Sequence, residues 1–256
     1  MKSNFIPVVT LAALMTLSPL AQASTTAAGR YDANIQASVI QKLAKDKDFK
    51  NVQSTVEDGI ITLTGSVDSY KDKLDAEKQV RKADKAKGVR NLIEVAGPSV
   101  SDAQLQKKLA EKLAYDRAGY NDVAFNAITV NVNNGVVTLG GAAADYPAYN
   151  SAISLAENTK GVKEVVNNIR VLPLMDDGLR FRLYRSIYGN NVLSKYLLDP
   201  QRPIRIIVDH GSVGLYGQVD SQLDKTVAEM RARQVLGAFN VENHLTLPNQ
   251  AAVELR

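Results

Sequence analysis

Hydrophobic positions alternate in two-residue steps on either side of three glycine-containing turns. Val52, Ser54 and Val56 precede Asp58-Gly59, and Ile61 and Leu63 follow it. Ile128, Val130 and Val132 precede Asn134-Gly135, with Val137 and Leu139 beyond. Ile204, Ile206 and Val208 precede His210-Gly211, with Val213 and Leu215 beyond. Alternation with period two puts each set on one buried face of a strand. Asp-Gly and Asn-Gly suit a two-residue hairpin turn, in which both central residues need positive φ. His210 fits less well, although His tolerates left-handed geometry better than most residues. The pattern predicts three hairpins.

The hairpins recur at one period. DGIITLTGSV at 58–67, NGVVTLGGAA at 134–143 and HGSVGLYGQV at 210–219 each begin 76 residues after the previous copy. That period exceeds the roughly 20–50 residues of stacked solenoid repeats, so each copy reads as a small domain. Before each hairpin runs a helical stripe: Ile35, Val39 and Leu43 over about Asn34 to Asp46, then Leu105, Leu109 and Leu113, then Leu179, Leu183 and Ile187. After each hairpin comes a capped helix, opened by Ser69 with Asp72, Asp145 with Pro147, and Ser221 with Asp224. Gly88, Gly161 and Gly237 read as its stops, with a short third strand following.

The fold class is therefore α+β: three tandem α-β-β-α-β units, each a mixed three-stranded sheet packed against two helices. The expected units are 33–97, 100–173 and a divergent 176–248, joined at 97–99 and 173–178, with a tail at 249–256. The third unit diverges because Gly189-Asn190-Asn191 interrupts its first helix and Pro200 and Pro203 precede its strand. Gly65, Gly141 and Gly217 stand singly before a helix with no Lys-Ser/Thr after them. They read as sites of close approach or positive φ rather than as phosphate loops.

The N-terminus reads differently. Lys2, an apolar run from Phe5 to Leu17 and the small-x-small Ala21-Gln22-Ala23 predict a cleaved secretory signal over 1–23, then a flexible leader over 24–32. No later apolar run is long enough to span a membrane. The absence of Cys excludes disulfides, thiolate metal sites and a lipid-anchoring thiol. Together these point to the periplasm of a Gram-negative bacterium.

The motif Gly-x-Val/Ile-x-Leu-x-Gly in the α-β-β-α-β order resembles the BON domain. The copies are Gly59 to Gly65 with Gly88-Val89, Gly135 to Gly141 with Gly161-Val162, and Gly211 to Gly217 with Gly237-Ala238. The resemblance covers about 33–248. It implies binding to anionic phospholipid or envelope surfaces, a link to osmotic stress and envelope integrity, and no enzyme activity. A periplasmic protein-binding module, chaperone-like or scaffolding, is the alternative. Open strand edges leave an oligomer as a third reading.

Candidate chemistry narrows this little. The two histidines, His210 and His244, are far apart, and no catalytic, metal or cofactor constellation is visible. A formal net charge of +4 is not a nucleic-acid-binding balance. The expected second helix over 68–87 carries seven Lys and Arg among five acids and reads as a solvated face. Residues 180–205 are more unusual, with Arg180, Arg182, Arg185, Lys195, Arg202 and Arg205 against Asp199. On the first helix of unit three, Phe181, Tyr184 and Tyr188 adjoin the apolar stripe and Arg182 and Arg185 follow. Arg180, Phe181, Arg182, Tyr184, Arg185 and Tyr188 are the candidate contact site, because rings flanked by Arg suit an anionic interface. Packing of the rings on a neighbouring unit is the competing explanation.

Overall fold

The computed structural model describes residues 29–97, 99–116, 122–248 and 250. The expected signal peptide, residues 24–28 of the leader and the tail apart from Gln250 lie outside the described residues.

Unit one runs α1 (Asp32–Leu43), β1 (Val52–Glu57), β2 (Ile60–Val67), α2 (Tyr70–Val80), β3 (Gly88–Asn91) and β4 (Glu94–Val95). Unit two repeats it as α3 (Asp102–Tyr115), β5 (Ala127–Asn133), β6 (Val136–Ala143), α4 (Tyr146–Glu157), β7 (Glu164–Asn167) and β8 (Arg170–Val171). Unit three is α5 (Asp177–Tyr188), β9 (Arg205–Asp209), β10 (Ser212–Gln218), α6 (Gln222–Arg233) and β11 (Asn240–Thr246). In each sheet the second strand is central, antiparallel to the first and parallel to the last. Register is the same throughout: Ser54 faces Leu63, Val130 faces Leu139 and Ile206 faces Leu215. The architecture is three tandem mixed sheets, each backed by two helices.

The turns take the expected form. Asp58, Asn134 and His210 have φ of 52°, 52° and 50°, and the glycine after each is also positive. Gly65, Gly141 and Gly217 are positive too, and a Cβ on them would lie 2.0, 2.0 and 2.5 Å from the carbonyl oxygens of Asn51, Ala127 and Pro203. No side chain fits there.

Four details differ from expectation. Residues 29–31 form a 3-10 turn and Asp32 begins α1, because the Asp32 carboxylate is tied to the β1–β2 turn. The second helix of unit one ends at Val80, so Arg81 to Lys87 are not helical. Gly88 is not the stop. It opens β3, and the left-handed position matching Gly161 and Gly237 is held by Lys85, with φ 63°. In units one and two the third strand is interrupted rather than continuous. The carboxamide oxygens of Asn91 and Asn167 accept from the amides of Ile93 and Ile169 at 3.2 and 3.1 Å. Asn243 does the same to Leu245 at 3.2 Å within an unbroken β11. These three asparagines also tie the strand to the preceding helix, through Lys73 O, Tyr149 Oη and Lys225 O.

Each unit has its own core. Ile35, Val39, Ile61, Leu63, Ala76 and Val80 meet in the first, and Leu105, Leu109, Val137, Leu139 and Ala152 in the second. Leu183, Ile187, Ile206, Leu215 and Ala228 meet in the third. Tyr70 of α2 leans on the second core, where burial, and then the nearby Glu164, push its phenol pKa up. Units two and three are joined more closely. Ala127, Ala142 and Leu172 pack on Ile207, and Phe125 enters the third core, although Phe49, its counterpart in unit one, stays in its own.

Candidate functional site

The candidate site sits on α5, and that helix is placed by an acid at its start. Buried Asp176 accepts from the turn amides of His210 at 2.7 Å and Gly211 at 3.2 Å. Asp32 does this for Asp58 and Gly59 at 2.9 Å each, and Asp102 for Asn134 and Gly135 at 2.7 and 2.9 Å. A carboxylate thus clamps the hairpin turn to the first helix in every unit. Four residues on, Gln36 and Gln106 donate to the carbonyls of Ser54 and Val130 at 2.8 and 3.0 Å. Arg180 holds that place in unit three.

Arg180 is consequently not a surface cation. It is 1% exposed, pairs with Asp177, and donates from Nη2 to Pro173 O at 2.9 Å and Val208 O at 3.2 Å. Tyr188 is also internal: it is 6% exposed and donates to Ile204 O at 2.6 Å. Burial pushes its phenol pKa well up, against the effect of that bond. Both residues drop out of the contact site, because the helix turns its Arg180 side to β9 and its Tyr188 side to the core.

The other four divide. Tyr184 is half-buried, 5.8 Å from the Phe125 ring and 5.0 Å from the Tyr188 ring. Phe181 meets Phe125 edge-on at 5.5 Å yet is half exposed. So the rings do pack on the neighbouring unit, and Phe181 still faces solvent. Arg182 and Arg185 are exposed, and their hydrogen bonds go to backbone carbonyls, Leu236 O at 3.3 Å and Phe181 O at 3.5 Å.

The remaining cations of the stretch are engaged. Lys195 reaches Asp220 and Asp224 at 2.9 and 3.0 Å, and Arg202 reaches Asp199 and Asp220 at 3.3 and 3.4 Å. Arg205 donates to Asn126 O in unit two at 2.8 Å. Tyr196 bridges this cluster to α6, with its hydroxyl on Asp224 and accepting from the Asp220 amide at 2.7 Å. Burial pushes the Tyr196 phenol up to about 12. Burial would raise Asp224, but its bonds from Tyr196, Lys195 and Ser221 outweigh that and its pKa falls below the usual carboxylate value.

His210 stands at a turn tip 2.6 Å from Asp209, and His244 stacks on Tyr216 at 4.8 Å. Among the described residues no three His, Asp or Glu side chains converge to hold a metal, and no helix is long and apolar enough to cross a membrane. A groove of about 450 Å³ beside α3 holds one acid, Asp102, already engaged by its turn.

Three tandem mixed sheets, each backed by two helices, define the class of fold. The chain belongs to the BON domain family, whose model matches residues 31–97, 101–173 and 190–249. The third match begins after α5, although that helix packs in the third core. The chain is 30% identical over 150 residues to "Uncharacterized protein in gshII 5'region" of Anaplasma centrale, spanning 55% of this chain and 94% of that one. It is 26% identical over 129 residues to Osmotically-inducible protein Y of Escherichia coli (strain K12), spanning 49% of this chain and 64% of that one. Among solved structures, CdsD, a structural protein of the type III secretion system of Chlamydia trachomatis, aligns at a TM-score of 0.26 and 15% identity, over 84% of this chain and 92% of that one.

Proposed function

We propose that this protein is a non-enzymatic, periplasmic binding protein that attaches to anionic phospholipid and supports the envelope under osmotic stress. The observation that carries the reading is the outer side of α5, where Phe181 lies half exposed beside Arg182 and Arg185. Among the described residues, no carboxylate pairs with either arginine. Membership of the BON family and likeness to Osmotically-inducible protein Y support the osmotic part of the reading. The signal-like N-terminus supports the compartment.

Each arginine near an anionic surface contributes about 1 kcal/mol, so replacing Arg182 and Arg185 with Ala weakens partitioning roughly thirty-fold. Co-sedimentation with phosphatidylglycerol vesicles at low and high salt tests this. Binding should be present at low salt and fall as salt screens it. Failure of the wild-type chain to sediment at low salt refutes the proposal, and lipid-independent capture of an envelope protein would then favour the scaffold alternative.

A further inference from the structure

The three units share a backbone but differ at one end. In unit three that end holds the turn at 209–211, the start of α5 and the loop after α6. They are joined by Asp176 on the turn amides, by the Phe239 amide on Gly211 O at 3.0 Å, and by Arg182 on Leu236 O. Leu174, Met175, Leu236 and Phe239 stand out from it, between 72% and 90% exposed. The positions of Leu236 and Phe239 are Asp84 and Lys87 in unit one, and Lys160 and Lys163 in unit two. The position of Met175 is Ser101 in unit two. At the loop after the second helix two units carry charge where the third carries Leu236 and Phe239. At the helix start the Met175 position in unit one is Tyr31, with Lys85 over its ring, and the Leu174 position in unit two is Val100, packed on its own core. Only the third unit turns four large apolar side chains outward here.

We infer that this apolar end of unit three is a membrane-inserting tip. Leu174, Met175, Leu236 and Phe239 enter the headgroup–acyl boundary of an anionic bilayer, and Arg182 and Arg185 lie at headgroup level. The inference rests on the lipid reading above and names where the bilayer is met. Charge complementarity selects the occupant. The acids around the tip are engaged: Asp176 by turn amides, Asp177 by Arg180, Asp209 by Arg170 and His210, and Glu229 by Arg233. Arg182 and Arg185 are left to face lipid phosphate. Side chains this exposed have little support from their own unit. A bilayer accepts them without a matching pocket, and apolar residues flanked by cations suit its interface.

The sequence contains no Trp, so a single introduced indole reports cleanly. In full-length Phe239→Trp, emission should move to shorter wavelength on adding phosphatidylglycerol–phosphatidylethanolamine vesicles, and bromine on the acyl chains should quench it. Lys163→Trp, at the matching place in unit two, should stay water-exposed. Leu236→Lys with Phe239→Lys copies residues that unit two already carries, so the fold is kept. Its vesicle partitioning should drop by roughly ten-fold or more. If the Phe239→Trp variant binds vesicles while its indole emission stays unshifted, the tip is overturned and lipid binding is left standing. Unchanged partitioning of the double Lys variant does the same. So does a wild-type dimer in light scattering that this variant dissolves, because the tip would then contact a second copy. Absence of wild-type sedimentation removes the lipid reading and the tip with it.

Discussion

Replacing the turn-clamping carboxylates one at a time should give a graded series. Asp176, Asp102 and Asp32 each accept two backbone N–H bonds, but in different surroundings. In unit three Asp176 is buried, and so is its bond to Gly211 N. Asp176→Ala leaves that amide without a partner or water. In units one and two each bond is one step more open, exposed at Asp58 N and Asn134 N and part-buried at Gly59 N and Gly135 N, so water can replace more of the carboxylate there. A hydrogen bond to a charged group contributes about 1.5–3 kcal/mol, and an orphaned buried donor costs about 1–3 more than a solvated one. Asp176→Ala is thus expected to cost about 3–4 kcal/mol, and Asp32→Ala and Asp102→Ala about 2 kcal/mol each. Asp176→Asn should be nearly as damaging as Ala, because its amide nitrogen would face an N–H donor. Hydrogen exchange over the three hairpins of the full chain reads each unit separately, with urea unfolding as the global measure. The reasoning is refuted if Asp176→Ala exchanges like wild type over 204–219, or if Asp32→Ala costs more than Asp176→Ala.

Other expectations are shorter. Gly141→Ala should cost about 3 kcal/mol or more, from the clash at 2.0 Å with Ala127 O and the φ of 83°. Gly88→Ala, whose Cβ would meet Ile60 at an ordinary 3.4 Å, should stay within about 1 kcal/mol of wild type in thermal melts. Phe125→Ala removes the ring contacts to Phe181 and Tyr184 and should cost about 3 kcal/mol, with small-angle scattering showing units two and three less tightly held. Asp220 is depressed by its bond from Lys195, and Asp224 is depressed as described, from an ordinary 3.8. Their contribution is complete above that value and is lost as pH falls through the lower folded-state values. Acid titration of Asp224→Asn should show a shallower loss of unit three than wild type. Tyr196 acts oppositely: its neutral phenol stabilises below 10.0 and the contribution is lost as pH rises through about 12.

What the chain discloses from sequence is what its local chemistry enforces. Asp-Gly, Asn-Gly and alternating apolar positions specify hairpins with little help from the rest of the molecule. The clamping aspartates were hidden because the segment between helix and turn has a different length in each unit, so they fall out of the 76-residue step. Asn91, Asn167 and Asn243 do keep that step, and could have been found by asking why a strand carries Asn at one fixed place. Lys85 escaped because a lysine gives no sign of positive φ, and Gly88 nearby offered a false match. On α5 the helical stripe correctly set Leu179, Leu183 and Ile187 inside. It could not show that Arg180, in the place of Gln36 and Gln106, bends under the helix to β9, nor that Phe125 of another unit covers the aromatic side.

The shared parts also explain where the units are free to differ. Turn, aspartate clamp, the close-approach glycine of the second strand and strand asparagine hold the backbone in all three, and none depends on the side chain that follows the second helix. The stems of Lys87 and Lys163 lie 3.2 and 3.0 Å from where a Cβ on the turn glycine would be, and the Phe239 ring lies at 2.6 Å. A lysine stem and a phenyl ring cover the same glycine. Exchanging one for the other therefore changes little in the fold and much in what meets the surroundings, a solvated ammonium in one case and a bare ring in the other. The recurring motif is the scaffold, and the difference between its copies at such positions is where an interaction surface can be read.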